Sequence, residues 1–178
     1  MIAAGFLFDL TWGNWSKARK PIFVKGTTVM PAKTRIVLSS DHAALDLRAA
    51  IADHVAAKGY EVVDIGPTTS ESTHYPKHGE AAARMVASGD CALGIILCGT
   101  GQGIMMAANK VKGIRCGVCM DTFSARMIRQ HNDANMLSIG ARVVGDMLAL
   151  DIVDAFLDAD FEGGRHGTRV DMIKDIEV

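Results

Sequence analysis

Leu93-Gly94-Ile95-Ile96-Leu97-Cys98-Gly99-Thr100-Gly101-Gln102-Gly103-Ile104 is the stretch on which the fold turns. Its first six residues are almost wholly apolar and too few for a helix, which is the pattern of a strand covered on both faces. The next five carry glycines at alternate positions, as a tight strand-to-helix turn does. Three such glycines bring backbone N–H groups close to a helix N-terminus, where an anion or oxyanion is favoured. The loop fails the dinucleotide fingerprint, because the sixth position from Gly99 is Ile104 and from Gly101 is Met106, and it lacks the Gly-Lys-Ser/Thr of a P-loop.

Outward from this unit the same alternation repeats. Short apolar runs at Arg35–Ser40, Glu61–Ile65, Ile114–Met120 and Met136–Ile139 join Leu93–Cys98 as strands, with stretches of helical periodicity between them. Leu47, Ile51 and Val55 mark one face of a first helix that closes at Gly59. A second spans about His78 to Ser88, a third Gly103 to before Gly113, and a fourth starts after Asp121 or Thr122, either of which can cap it. A fifth covers about Asp146 to Leu157, and a sixth after Gly163-Gly164 holds Arg165, Arg169, Met172 and Ile173. The pattern predicts an α/β fold, a three-layer α/β/α sandwich around a five-stranded parallel sheet.

The chain has 178 residues, 49% hydrophobic and 22% charged, a balance that excludes disorder and repetitive fibres and suits one domain with a large core. A formal net charge of −1 gives no electrostatic footprint for nucleic acid or an acidic membrane. No apolar run is long enough for a transmembrane helix. Four cysteines without an export signal point to reduced thiols in a cytoplasmic compartment. Residues 1–33 stand apart: Lys17, Arg19, Lys20, Lys25 and Lys33 face only Asp9, both tryptophans (Trp12 and Trp15) lie here, and neither periodicity shows. This head reads as a poorly ordered or dispensable extension, translated ahead of a natural start near Met30, with the working domain at 34–178.

In open α/β sheets ligands bind where the strands' carboxyl ends meet helix N-termini. That rule selects Asp41 and His42 after the first strand, Tyr75-Pro76 after the second, Cys98 to Gly103 after the third and Asp121 after the fourth. Cys98 precedes a helix N-terminus, a setting that activates a thiol as base or nucleophile, although a buried cysteine is as often packing. Cys116 and Cys119 lie three apart on a strand and point to opposite faces, so they share no metal, and no second ligand pair stands at zinc spacing. No metal or other cofactor is expected. Asp41 suits a helix cap as well as a site. His131 suits a helix C-terminus, but His131-Asn132-Asp133-Ala134-Asn135 is unusually polar before an apolar strand. Arg165 and Arg169, four apart, share a helical face and look like a phosphate clamp, though surface arginine pairs are common.

Six separated motifs agree in order and spacing: Ser40-Asp41-His42; Tyr75-Pro76; Cys98 to Ile104 with Ala107-Ala108-Asn109-Lys110; Arg129 to Asn135; Gly140-Ala141-Arg142; and Glu162-Gly163-Gly164-Arg165-His166. Together they resemble the ribose-5-phosphate isomerase B family, from about residue 34 to the end. The resemblance implies a Rossmann-like sandwich and aldose-ketose isomerisation of a phosphorylated sugar without a metal. It implies that Cys98 moves the proton between carbons 2 and 1, that Thr100 with the Gly99, Gly101 and Gly103 loop steadies the enediolate, and that His131 opens the furanose ring. Asp41 and Asn132 would hold sugar hydroxyls, and His42, Arg142, Arg165 and Arg169 the phosphate, with Tyr75 lining the site. It further implies a homodimer or dimer of dimers in which His131, Asn132 and Arg142 come from the neighbouring subunit. Ile104 stands where another branch has a glutamate, which marks the cysteine type. His74 replaces a usual acid and Ala44 a frequent glycine, so allose 6-phosphate, galactose 6-phosphate or a tetrose phosphate compete with ribose 5-phosphate as substrate. A nucleotide-binding or sensing module on the same layers is the rival reading, and it would be stabilised by ATP or NAD rather than by phosphosugars.

Deletion of residues 1–29 is expected to leave turnover and melting temperature nearly unchanged. A loss of several degrees in a thermal scan would show instead that the head packs on the core.

Overall fold

A computed structural model describes residues 34–177 and the short segments 22–24 and 27–29. The two segments are strands β1 (Ile22–Val24) and β2 (Thr27–Val29), paired antiparallel with Ile22 opposite Val29. No periodicity in the sequence announces them, since a two-stranded hairpin needs only three residues a side, too few for a period to show. The rest of the head's expected character lies outside the described residues.

Lys33–Val178 forms a separate compact unit. Its strands are β3 (Arg35–Ser40), β4 (Glu61–Asp64), β5 (Leu93–Cys98), β6 (Cys116–Val118) and β7 (Met136–Gly140), all parallel, in the order β4-β3-β5-β7-β6. The helices are α1 (Leu45–Ala57), α2 (Tyr75–Ala87), α3 (Gln102–Ala108), α4 (Thr122–Asn132), α5 (Asp146–Leu157) and α6 (Arg165–Lys174). The Rossmann-like sandwich is thus present.

Strand alternation sorts the core into two layers. Ile36, Leu38, Ile95, Leu97, Leu137 and Ile139 meet α1, α4 and α5 through Ile51, Val55, Ala125, Ile152 and Phe156. Val37, Ile96, Cys98 and Met136 meet α2 and α3 through Ala82, Ala83, Val86, Ile104 and Ala108. Cys119 belongs to the first layer and Cys116 to the second, the opposite facing that their spacing on a strand requires. Gly59, at φ +93°, ends α1 by donating its amide to Ala56. Asp121 is the cap of α4 and accepts the Ser124 amide at 2.7 Å, a bond that lowers its carboxyl pKa.

Arg48 is the exception on the buried face of α1. Its guanidinium reaches Asp64, the Ser40 hydroxyl (2.7 Å) and the Pro67 carbonyl (2.8 Å), and so ties α1 to the ends of β3 and β4. A Cβ on Gly66 would fall 2.0 Å from its Nη1, so the loop after β4 is folded directly over the guanidinium. Arg48→Met should cost about 2–3 kcal/mol of stability, because it strands Asp64 and two oxygens at a site where the arginine is only 7% exposed. Urea unfolding measures it, and a change under about 1 kcal/mol would mean water replaces these bonds freely.

Candidate active site

The rim at the strands' carboxyl ends is held together by chain crossing chain. Ala141 donates to the Cys98 carbonyl (2.9 Å) and Arg142 to Gly99 (3.0 Å), which extends the β5–β7 pairing past the sheet and into the glycine loop. The Ser138 hydroxyl donates to the Gly101 carbonyl at 2.7 Å. A Cβ on Gly140 would lie 2.7 Å from Thr100 backbone atoms, and one on Gly101, at φ +76°, within 3.0 Å of Ile139 and Gly140. Both positions require glycine, one for space and both for the contact that fixes the loop.

This contact aims the chemistry. The Gly101 amide donates to Cys98 Sγ at 3.2 Å, and the thiol sits at the mouth of α3. The Thr100 hydroxyl oxygen lies 3.4 Å from the Gln102 amide that donates to it. The Arg142 side chain lies against Gly99, and the Tyr75 ring against Gly103, where a Cβ would meet its Cζ at 2.6 Å. Asp41 is a cap after all, since Oδ1 accepts the Ala43 amide at 2.9 Å, but Oδ2 makes no hydrogen bond among the described residues. The Thr73 amide donates to His42 Nδ1 at 3.2 Å, so the neutral ring carries its proton on Nε2 and presents it as a donor. Thr73 is held in turn by His78 (3.0 Å), whose pKa burial pushes down, with Asp41 opposing and Arg48 and Lys77 assisting.

A second group forms at the other end of the sheet. Parallel strands force each helix to run back against them, so α4 carries His131 and Asn132 from the rim of Asp121 to the amino ends of β6 and β7. Asn132 gives its carbonyl to Arg115 (3.0 Å), the residue before β6. Asp133, left-handed at φ 45°, ends the helix and is paired with Arg115 and Arg129. His131 stacks on His166 of α6 at 4.2 Å between ring centroids, with planes 2° apart. Glu162 Oε2 lies 3.9 Å from His131 Nε2 and 3.7 Å from His166 Nε2. The His166 pKa is lowered by burial, then by His131, Arg165 and Arg169, against Glu162, and both arginines lie with His166 on the first turns of α6.

The structure therefore divides the expected residues. Asp41, His42, Tyr75, Cys98, Gly99, Thr100, Gly101, Gly103 and Arg142 surround one rim, and His131, Asn132, Arg165 and Arg169 another, roughly 16 Å away along the eleven residues of α4. Arg142, which the resemblance assigns to the neighbouring subunit's site, lies against Gly99 of its own chain. Arg48, Thr73, Ser138 and Glu162 were not singled out from the sequence as site residues. Only Arg48 carried a signal, a charge on a helix face that is otherwise apolar.

A thiol, a carboxylate, a hydroxyl and backbone donors around a glycine loop, with an arginine and a donating imidazole alongside, fit the class that the resemblance implies: an isomerase of a phosphorylated sugar. The comparisons agree. The family model for ribose/galactose isomerase matches residues 36–173. Ribose-5-phosphate isomerase B of Escherichia coli is 48% identical over 143 residues, covering 80% of this chain and 96% of that protein. The structure of Clostridium thermocellum ribose-5-phosphate isomerase B superposes with a TM-score of 0.80 at 53% identity, over 81% of this chain and 97% of that one. The Mycoplasma genitalium enzyme, solved with bound ribulose-5-phosphate, gives 0.78 at 42% identity, over 81% and 96%. The chain belongs to the ribose/galactose isomerase family. It is a sugar-phosphate isomerase.

Gly140→Ala should lower stability by about 1–3 kcal/mol and reduce turnover by up to about a hundredfold, because the Thr100 backbone must retreat from the new methyl. Thermal unfolding with steady-state kinetics checks both. Unchanged kcat would show that the loop's position does not govern catalysis.

Proposed function

We propose that this protein interconverts ribose 5-phosphate and ribulose 5-phosphate through an enediolate, in sites completed by a second copy of the chain. The observation that carries the proposal is the separation of the two residue groups. The proton-transfer parts surround Cys98, while His131 and the paired arginines sit at the opposite end of the sheet, so a site that uses both needs two chains. Exposed apolar residues on α3 and near the N-termini of α4 and α5 supply surface for such an assembly: Met106, Met120, Phe123 at 68% exposure, Leu148 and Met147 at 76%. A homodimer, or a dimer of dimers, follows.

In this reading Cys98 takes the proton from carbon 2 of the open aldose and returns it to carbon 1. Thr100 and the loop amides hold the oxygen on which charge develops, the kind of preorganised help that is worth a few kcal/mol. Asp41 Oδ2 and Asn132 hold hydroxyls. Tyr75 walls the site at Gly103. Phosphate is held by the His42 Nε2–H donor, by Arg142, and by Arg165 and Arg169 of the other copy, each charge-assisted contact contributing about 1.5–3 kcal/mol. His131 opens the ring by general acid-base transfer. The free, buried cysteines support a reducing, cytoplasmic setting, and no helix among the described residues is long and apolar enough to cross a membrane. The catalytic unit is taken as residues 34–178, with the head dispensable.

Complementation tests the shared site and the activity together. Cys98→Ala and His131→Gln should each be nearly inactive on ribose 5-phosphate as purified proteins. Unfolded together and refolded as an equal mixture, they should recover about a quarter of the parent rate, since half the dimers are mixed and each has one intact site. No recovery, with mixed dimers confirmed by differential tagging, would confine each site to one chain.

A further inference from the structure

His78 has no part in the chemistry described above, yet it holds the residue that holds His42. In the connection from β4 to α2, Thr73 is the one residue of 68–73 that makes hydrogen bonds, among the described residues. Its amide donates to His42 Nδ1 at 3.2 Å, and its hydroxyl meets His78 Nε2 at 3.0 Å. We propose that His78 is a positioning residue of the isomerase: through Thr73 it sets the direction in which the His42 imidazole meets the substrate's phosphate. Phosphate as the partner of His42 rests on the function proposed above; the coupling from His78 to the His42 ring does not.

The place of the pair along α2 carries the argument. His74 is the N-cap, so Thr73 stands just before the cap and His78 is the fourth residue of the helix. Those two positions commonly hold an apolar pair whose contact fixes the angle at which the chain enters the helix. Here a hydrogen bond between side chains takes the place of that contact. The His74 side chain makes no cap bond, so the Thr73–His78 pair is what ties the entry.

The loop has little else to hold it. Residues 68–72 are exposed, and no apolar burial offsets the entropy of ordering them. Upstream, the nearest tie is the Pro67 carbonyl, which accepts from Arg48. Thr73 is half-buried between exposed neighbours, the position of an anchor. On the other side, His42 opens the single turn His42–Ala44 that Asp41 caps, so its backbone is fixed and its ring is left to be oriented. The Thr73 amide is the one donor to that ring among the described residues. An amide aimed at Nδ1 leaves Nε2 as the ring's donor and sets the line along which it points. A displaced Thr73 therefore turns that donor away from its target.

The test uses the full-length chain. His78→Leu and Thr73→Val should each raise KM for ribose 5-phosphate and the inhibition constant of inorganic phosphate about five- to tenfold, with kcat within about twofold of the parent. His78→Gln, whose amide can still bond the Thr73 hydroxyl, should stay within about twofold of the parent in all three. The double variant should lose less than the product of the single losses, because Val and Leu restore the contact in its apolar form. In protein labelled with 15N at histidine, the His42 Nδ1 resonance, assigned with His42→Gln, should shift in both single variants and keep its parent position in His78→Gln. Single losses that multiply in the double variant, or a His42 resonance that stays put while KM rises, would overturn the coupling. A shifted resonance with unchanged phosphate affinity would overturn the positioning role. If the parent isomerises no phosphosugar, the proposed function falls, and the resonance shifts alone decide whether His78 governs His42.

Discussion

The turn after β5 crosses β7 at a distance no side chain can occupy, and the active rim depends on that crossing. With hydrogen at Gly140 and Gly101, the Thr100 backbone touches the end of β7, and three bonds lock it there: Ala141 to Cys98, Arg142 to Gly99 and Ser138 to Gly101. The loop is thereby held by the sheet and not by its own flexibility, as preorganisation of an oxyanion site demands. The same bonds that fix the loop deliver Arg142, because its amide is one of the partners. In the proposed function, the phosphate-binding arginine and the enediolate donors would therefore be positioned by a single piece of backbone.

Strand polarity sets the next constraint. A parallel sheet collects helix N-termini at one rim and helix C-termini at the other, so His131, in the last turn of α4, cannot approach Cys98 of its own chain. The protein accordingly keeps two half-sites far apart in each chain, and in the proposed assembly each is completed by the other copy. Such an arrangement links activity to association, since dilution below the dimer constant removes the arginines and His131 from the thiol together. In that assembly it would also keep the thiol and the imidazole assigned to ring opening from forming an unproductive pair in the free chain.

Legibility in the sequence followed burial. β3 and β5 match their expected bounds because both faces are covered and their apolar runs are unbroken. β6 is shorter than the run Ile114–Met120, for the Arg115 amide bonds the Asn135 side chain and leaves the ladder. α3 ends at Ala108, well before Gly113, because the Asn109 side chain clamps both the carbonyl and the amide of Cys116 at 2.8 Å. α2 begins at Tyr75, earlier than His78, since Pro76 is tolerated in a first turn. Contacts between residues far apart in sequence left no trace. The His131–His166 stack joins positions 35 apart on two helices, and no periodicity encodes it.

The four cysteines show how little burial alone says about reactivity. Cys91, Cys98, Cys116 and Cys119 are all buried, from 1% to 8% exposed. Burial raises the pKa of Cys91 and Cys116, and pushes Cys119 up to about 11 with Asp121 adding to it, so these three remain thiols inside the apolar layers. Cys98 differs in what stands in front of its sulfur. Among the described residues it is the one cysteine whose Sγ accepts an N–H, from Gly101 at the start of α3. The crossing of β5 and β7 holds that donor in place, since the Gly101 carbonyl accepts the Ser138 hydroxyl. In the function proposed above, the proton transfer assigned to Cys98 would depend, through one glycine, on a serine of the neighbouring strand.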